Sequence, residues 1–439
     1  MITLALLATL TFDAAAIAQT TATLNALGPH AYGSPRNRAA AQFVGAKLQD
    51  AGLSETTIED FEFEGSTGTN VVARIPGRSD RLLIVATHHD TKKDAQDVTG
   101  RSRTLALLID LGRQASRLRP AKTWILASFD GGESNGEGLA HYLETLGRSR
   151  ELVDGVLILD AAASGTAAET PAIIAPACPG GGAFPRRAIA SRDQVEAALG
   201  GVPDTMDVSF DDAGISLLTQ PFIRAFRTAC DPMAGRALAA GAGVLMVGDV
   251  PYSRAFLAAP VARSSAETPK RDEQAVRLGD VALAAMNGLD AAFVPSPRTD
   301  SWLVVGRTVI AGWLVFLMGA LALIPGLLAA RGDMKRLALR GAYSAIFVAV
   351  LFREPEIALF AGLLPSLVPL AWPRIAVGVS LVPFGLLLAA GALSALRGQV
   401  TGTWLSLWLW AGLLGAMALL FVFRGGRAKA PSRAKRGRK

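Results

Sequence analysis

Three short segments of the chain carry side chains that could bind metal ions, and each follows an apolar run. They are Thr87-His88-His89-Asp90, Asp130-Gly131-Gly132-Glu133 and Leu159-Asp160. Histidine nitrogen and carboxylate oxygen are common zinc ligands. In open α/β sheets, such groups collect at the carboxyl ends of the strands. The three segments therefore predict a shared metal-binding site at one edge of a sheet.

The elements that would position these side chains alternate between strand and helix. Short apolar, β-rich runs predict buried strands at Asn70–Ile75, Leu82–Ala86, Thr123–Phe129, Val156–Leu159 and Gly243–Val247. Helical periodicity predicts helices at Asn37–Ala51, Arg103–Arg113 and Glu137–Thr145, and the segment from Phe12 resembles a first helix. This alternation predicts an α/β domain with a mostly parallel central sheet covered by helices.

The composition of the 439-residue chain changes near residue 300. Residues 12–297 have the mixed composition of a globular domain, whereas residues 298–423 contain apolar segments that approach the roughly 20 residues needed to span a bilayer. These segments are Val309–Ala330, Leu337–Phe352, Ile357–Trp372, Ile375–Leu396 and Trp404–Phe423. They predict an all-α transmembrane bundle of about five spans. The second and third segments are short and contain or adjoin prolines, so together they could form two spans or one re-entrant hairpin.

The basic residues predict the membrane topology. Arg331, Lys335, Arg336 and Arg340 lie in or beside the loop after the first apolar segment, and residues 424–439 form a basic tail. Both features are typical of cytoplasmic segments, so we expect an extracytoplasmic amino-terminal domain and a cytoplasmic tail. The composition, rich in Ala, Gly and Arg, suggests a bacterial cytoplasmic membrane.

The net charge of +7 comes from the tail. The tail holds eight of the 44 Lys and Arg residues, and the remaining 36 are balanced by 37 acids. A basic run after an apolar segment favours lipid headgroups as the partner, and we expect no nucleic-acid partner.

Two smaller features concern the start of the chain and its cysteines. Residues 1–11 include the apolar stretch Ile2–Leu10, which has the length of a signal-peptide core but follows no basic residue. We interpret it as a truncated signal or anchor segment, with translation starting upstream. Cys178 and Cys230 lie in loop-like stretches and could pair as a disulfide outside the membrane.

Residues 12–290 resemble the co-catalytic zinc exopeptidases of metallopeptidase family twenty-eight, which also includes the glutaminyl cyclases. The likeness rests on the three segments above and on the amino-terminal stretch Leu27–Pro35, followed by Arg36–Ala40 and a helix ending at Gly52. It covers about two thirds of the chain and implies a zinc exopeptidase-like fold.

The resemblance assigns metal-site roles to four residues. His88 matches a zinc ligand, and Asp90 matches the carboxylate that orients it. Asp160 matches a second ligand of the same zinc, whereas Glu133 matches a ligand of the other zinc.

Three positions depart from the family pattern. Gly100 stands at the aspartate that bridges both metals, Gly132 at the general base and Arg263 at the last histidine ligand. Asp97 could replace the bridging aspartate through a loop rearrangement. Glycine cannot accept a proton, and loss of a general base typically lowers a rate by about 10²- to 10⁴-fold.

The remaining ligands are too few for dinuclear catalysis. One zinc would keep only His88 and Asp160 and the other only Glu133, whereas catalytic zinc usually has three protein ligands. The sequence therefore predicts no zinc, or one weakly bound zinc held by His88, Asp160 and Asp97. It also predicts that Arg263 replaces the metal charge by a salt bridge to Glu133 or Asp160.

Two functions are compatible with this pattern. The first is a membrane-anchored, catalytically degenerate aminopeptidase-like protein that binds a peptide or protein partner outside the membrane, or acts as a scaffold. The second is an active zinc-dependent exopeptidase of the aminopeptidase type with an atypical metal set, which requires Asp97 as a ligand and another base such as Glu137. His30 and His141 match no family ligand, so we expect packing or surface roles for both.

Overall fold

The computed structural model describes residues 12–95, 97–160, 170–175, 178–179, 187–188, 190–210, 231–248, 268–292, 302–305 and 307–311. The chain divides into two compact units. The elements described below belong to the first unit, Met1–Gly180, Arg187–Gly214 and Ala229–Val309, except for the last residues of the final strand.

The described strands form one large sheet and two small ones. The strands are β1 (Glu55–Phe63), β2 (Ser66–Ile75), β3 (Leu82–His88), β4 (Thr123–Phe129), β5 (Val153–Leu159), β6 (Ala172–Ile174), β7 (Cys178–Pro179), β8 (Arg187–Ala188), β9 (Ser209–Phe210), β10 (Val244–Gly248), β11 (Trp302–Val305) and β12 (Thr308–Ala311). The large sheet has the order β1-β2-β4-β3-β5-β10-β6-β9, and β7-β8 and β11-β12 are separate pairs. Its four central strands, β4, β3, β5 and β10, are parallel, whereas β1, β2 and β6 pair antiparallel to their inner neighbours.

Helices cover both faces of the large sheet. They are α1 (Ala14–Asn25), α2 (Pro35–Asp50), α3 (Thr99–Ala115), α4 (Glu137–Thr145), α5 (Arg192–Gly201), α6 (Pro232–Ala239) and α7 (Thr268–Ala291), with a 3-10 helix at Gly147–Leu152. One hydrophobic core lies between the sheet and helices α1, α2, α3, α5 and α7, and a second lies under α4 and α6. Strand β3 shows the alternation: Leu83 and Val85 face the first core, whereas Ile84 and Ala86 face the second.

The predicted α/β fold is confirmed for these residues. Helix α2 begins at Pro35 because the Ser34 hydroxyl caps it and accepts a hydrogen bond from the Asn37 amide at 3.2 Å. Helix α4 has the predicted bounds. The sequence pattern did not predict strand β1. This strand lies at the outer edge of the sheet, so most of its positions are polar or charged and it has no continuous buried apolar run.

The first predicted apolar segment begins too early. Residues 309–311 belong to strand β12, and Val309 is buried in the first core. No helix among the described residues is long and apolar enough to cross a membrane. The remainder of Val309–Ala330, the other four segments, the basic tail and residues 1–11 lie outside the described residues, as does Cys230.

Candidate functional site

The three metal-ligand segments meet at one edge of the large sheet. Because β3, β4 and β5 are neighbouring strands in parallel orientation, His88, Asp130 and Asp160 lie at the same edge. The three segments therefore lie beside one another, as their positions at the strand ends predicted.

The His88 imidazole is held by Asp90. Its Nδ1 lies 2.9 Å from Oδ1 of Asp90 and 3.1 Å from the Asp90 carbonyl oxygen, and both residues are buried. Both acceptors face Nδ1, so this nitrogen donates its proton to Asp90. Asp90 thus has the orienting role expected from the sequence.

Asp90 also fixes the loop after β4. Its Oδ1 accepts a hydrogen bond from the Gly132 amide at 2.8 Å, and its Oδ2 accepts one from the Glu133 amide at 3.0 Å. Burial alone would raise the pKa of Asp90, but attraction to His88, their hydrogen bond and the Glu133 amide together hold that pKa well below its usual range. The carboxylate is therefore a charged anchor for both segments.

Gly132 packs directly against the His88 ring. An ideal Cβ at this position would lie 2.2 Å from Cγ of His88 and 2.4 Å from its Cβ. No side chain fits at position 132 in this arrangement.

A basic side chain that the sequence did not single out lies between the remaining carboxylates. Nη2 of Arg101 lies 3.4 Å from Oε1 of Glu133 and 3.9 Å from Oδ1 of Asp160, and its Nη1 lies 3.5 Å from Oγ1 of Thr87. The Arg101 side chain is 12% exposed, whereas those of Glu133 and Asp160 are 32% and 29% exposed. One guanidinium therefore neutralises a carboxylate from each of the two expected zinc positions.

Asp231 is a further acidic residue beside this group. It caps α6 by accepting a hydrogen bond from the Ala234 amide at 2.8 Å. Burial and the neighbouring charge of Asp160 raise the pKa of Asp231, and the charges of His88 and Arg101 oppose that rise. Among the described residues, Glu133, Asp160 and Asp231 thus lie near the permanent positive charge of Arg101.

Asp97 and Gly100 make local hydrogen bonds at the start of α3. Asp97 is exposed, and its Oδ1 accepts a hydrogen bond from the Thr99 amide at 2.8 Å at the start of α3. Gly100 lies in the first turn of α3, where its carbonyl oxygen accepts a hydrogen bond from Thr104 at 3.0 Å. Arg263, the cation predicted to replace the metal, lies outside the described residues.

Glu137, the substitute general base, is buried and paired. Nη2 of Arg236 lies 3.0 and 3.2 Å from its two carboxylate oxygens, and Nε of Arg236 donates to the Asn135 carbonyl oxygen at 2.9 Å. A carboxylate held in this way links α4 to α6 and is poorly placed to accept a proton from water.

The remaining histidines have packing roles. His141 stacks on Phe61 with ring centroids 5.0 Å apart. His30 is fully buried, and its Nδ1 lies 2.6 Å from the Gly28 carbonyl oxygen. His89 is also fully buried, with Nδ1 2.9 Å from Oγ of Ser128. Burial lowers the pKa of both His30 and His89, which keeps them neutral.

Asp130 connects the site to the amino-terminal elements. Its Oδ1 accepts a hydrogen bond from Nδ2 of Asn37 at 3.1 Å, and its Oδ2 accepts one from the Thr69 amide at 3.0 Å. This buried carboxylate therefore joins α2 and β2 to the end of β4 and serves the fold rather than a ligand.

The described residues fit a zinc pair poorly. His88 lies at the strand end, but Arg101 lies within 4 Å of both Glu133 and Asp160. A cation cannot share these carboxylates with a metal ion without strong repulsion. Within the described residues, no three His, Cys, Asp or Glu side chains form a group that could hold a metal ion.

Sequence reasoning missed Arg101 and Asp231. Arg101 stands in the first turn of α3, which contains no acidic residue. A positive side chain at the amino end of a helix interacts unfavourably with the helix dipole. This unfavourable placement could have indicated that acidic side chains lie near Arg101. Asp231 precedes Pro232 at a helix start, so its sequence pattern indicates only a cap.

Solved structures similar to this chain include zinc aminopeptidases and a glutaminyl cyclase. The LapA aminopeptidase of Legionella pneumophila matches with a TM-score of 0.47 and 12% identity, over 64% of this chain and 73% of that one. A glutaminyl cyclase from an Acidobacteriales bacterium has a TM-score of 0.44 and 16% identity, over 64% and 95%. BSAP, a zinc aminopeptidase from Bacillus subtilis, has a TM-score of 0.43 and 10% identity, over 66% and 99%. No family model and no curated protein sequence matches the chain.

Proposed function

We propose that this protein is a membrane-anchored, non-catalytic relative of the zinc aminopeptidases, whose globular domain binds a peptide or protein partner outside the membrane. The observation that carries the proposal is the packing of Gly132 against His88, since an ideal Cβ would lie 2.2 Å from Cγ of the ring. A hydrolase of this type needs a base that deprotonates the attacking water. The position of that base cannot hold a side chain.

The substitute base required by an active exopeptidase is also engaged. Glu137 is buried and bonded to Arg236 at 3.0 and 3.2 Å, and Asp97 is exposed and bonded to the Thr99 amide. These contacts favour the non-catalytic function over the active one.

Two surface features support partner binding. The site beside Arg101 is accessible to solvent, since the side chains of Glu133 and Asp160 are 32% and 29% exposed. A cavity of about 450 Å³ lies between the loop before α2 and the loop after β3, and Arg36 and Lys93 line it. The described residues that line it are Pro29, Ala31, Ser34, Pro35, Arg36 and Lys93, of which two are cationic and none is acidic. An acidic segment of the partner would complement this cavity.

The membrane part of the proposal rests on composition. The apolar segments beyond residue 311 would form the transmembrane bundle, with the globular domain extracytoplasmic and the tail of residues 424–439 cytoplasmic. Impermeant maleimide labelling of a cysteine placed in the tail, in a variant with Cys178 and Cys230 replaced by serine, tests this topology. Labelling in inverted vesicles but not in intact spheroplasts agrees with the proposal, and the reverse pattern contradicts it.

The catalytic question is tested with full-length protein purified in detergent and a panel of aminoacyl-coumarin substrates in the presence of zinc. We expect no hydrolysis above that of the matched variant Glu133→Gln, which keeps the size of the side chain and removes its charge. Turnover by the wild-type protein that is lost in Glu133→Gln would establish the active exopeptidase instead.

Partner binding is tested by fluorescence anisotropy with labelled acidic and basic decapeptides. We expect the acidic peptide to bind preferentially and the variants Arg36→Gln and Lys93→Gln to weaken it. Arg38→Gln is the matched control, because Arg38 lies in the same helix but pairs with Asp60 at 3.2 Å. Equal binding of both peptides, or equal weakening by all three variants, would contradict the role of the cavity.

A further inference from the structure

We infer that Arg101 takes the electrostatic place of the metal ions, so that this domain is stable without zinc. The guanidinium lies 3.4 Å from Glu133 and 3.9 Å from Asp160, which match ligands of the two different zinc ions in the related enzymes. This inference concerns the stability of the fold, and it stands whether or not the domain binds a partner.

The need for a cation follows from the arrangement of the acids. Glu133 and Asp160 are both about two thirds buried, and each lies within 4 Å of the Arg101 guanidinium. Carboxylates gathered at the ends of neighbouring strands repel one another where water screens them only partly. Without a compensating positive charge, the strand ends would be destabilised.

Arg101 provides this positive charge from the start of α3. Arg101 projects from the first turn of α3, one residue after Gly100, where the related enzymes have the aspartate that bridges both metals. The bridging acid is thus absent and a cation is present one residue further along. A guanidinium keeps its charge at any physiological pH and carries several donors, so it can serve both carboxylates at once.

The contact distances distinguish this arrangement from a simple surface ion pair. Arg101 also approaches Thr87 at 3.5 Å, and its side chain is only 12% exposed. The side chain is therefore held inside the site by β3, the loop after β4 and the end of β5. Each of these segments supplies a metal ligand in the related enzymes.

The experiment follows thermal unfolding of the full-length protein in detergent, with EDTA or with added zinc chloride. We expect the Tm of the wild-type protein to be the same in both conditions. Arg101→Gln should lower the Tm in EDTA by roughly 3–6 °C, because the carboxylates lose their counter-charge. Zinc should recover part of that loss, since His88, Glu133 and Asp160 become available as ligands.

Three further variants make the test specific. Arg101→Lys keeps the charge and should remain insensitive to zinc. Glu133→Gln added to Arg101→Gln should raise the Tm in EDTA and weaken the zinc response, because it removes both a repulsive charge and a ligand. Arg148→Gln removes an exposed arginine from the 3-10 helix and should change neither measurement. If Arg101→Gln alone does not fold, folding of the double variant and of Arg101→Lys supports the inference equally.

Several outcomes would overturn it. One is a wild-type Tm that falls in EDTA and rises with zinc. Another is an Arg101→Gln variant as stable as the wild-type protein in EDTA. A third is a loss of Tm that neither zinc nor the second substitution restores, which would show that Arg101 acts through packing alone.

Discussion

Replacing Gly132 by alanine adds one methyl group where the structure leaves no room. The added Cβ would lie 2.2 Å from Cγ, 2.4 Å from Cβ and 2.6 Å from Cδ2 of His88. Ordinary van der Waals contact begins near 3.4 Å, so the two groups have to separate by about 1.2 Å, the difference between 3.4 and 2.2 Å. A rotation of the ring cannot provide this separation, because the Cβ of His88 is itself among the contacts.

The required movement disturbs hydrogen bonds on both sides. His88 is buried and tied to Asp90 at 2.9 Å, and the Gly132 amide donates to the same carboxylate at 2.8 Å. Overpacking a well-packed interior costs about 1–3 kcal/mol, and weakening one hydrogen bond to a charged group adds about 1.5 kcal/mol. We therefore expect Gly132→Ala to lower the free energy of unfolding by about 2.5–4.5 kcal/mol.

Urea unfolding of the full-length protein, followed by circular dichroism, measures this loss. The control is Gly200→Ala in α5, where an added Cβ meets no atom within 4 Å. Because alanine favours a helix over glycine, this control should match or exceed the wild-type stability by up to about 1 kcal/mol.

The more demanding variant is Gly132→Glu, which restores the acid of the related enzymes. We expect it to be less stable than Gly132→Ala and to show no aminopeptidase activity with zinc. A Gly132→Glu protein with wild-type stability would refute the packing argument. Gain of activity in that protein would show that only the base was missing.

Three further predictions concern other parts of the domain. Arg236→Ala should lower the free energy of unfolding by about 1–3 kcal/mol, because it removes the partner of the buried Glu137. Denaturant unfolding measures this loss, and Arg148→Ala, which removes an exposed arginine, is the control. The free energy of unfolding should fall as the solution is acidified, because the folded protein holds the pKa values of His30 and His89 below the ordinary 6.5. The contribution of these neutral imidazoles to stability is full above about pH 6.5 and is lost as the pH falls towards their pKa values in the folded protein. The variant His30→Gln should lose less stability over the same pH range in urea unfolding. Arg307→Ala should speed amide hydrogen exchange in residues 302–311. Arg307 donates hydrogen bonds to the carbonyl oxygens of Leu199 in α5 and Pro203 just after it, at 3.3 and 3.2 Å. Unchanged exchange in the variant would contradict this.

The sequence predicts the strands and the place of the site well, for a simple physical reason. Buried parallel strands are continuous apolar runs, and the polar residues that end them are forced to one edge of the sheet. His88, Asp90 and Asp160 could therefore be placed together before any coordinates were known. Strand β1 could not be predicted in this way, because its polar sequence resembles that of a loop.

The chemistry of the site could be predicted only in part. The resemblance places a general base at position 132, where the sequence has glycine. The close packing of Gly132 against His88 depends on the path of the loop after β4. The role of Arg101 depends on contacts with acids 32 and 59 positions away in the chain, and spacing does not reveal such contacts. The sequence favoured Arg263 instead, and that expectation remains a prediction.

We propose that Arg101 replaces the metal ions in a domain that does not act as a zinc enzyme. The most direct measurement is the zinc content of purified full-length protein, by elemental analysis after dialysis against trace zinc. A value near zero per chain, rising in Arg101→Gln, agrees with the claim. One or two equivalents in the wild-type protein would contradict it, because they would show that the carboxylates beside Arg101 still bind metal.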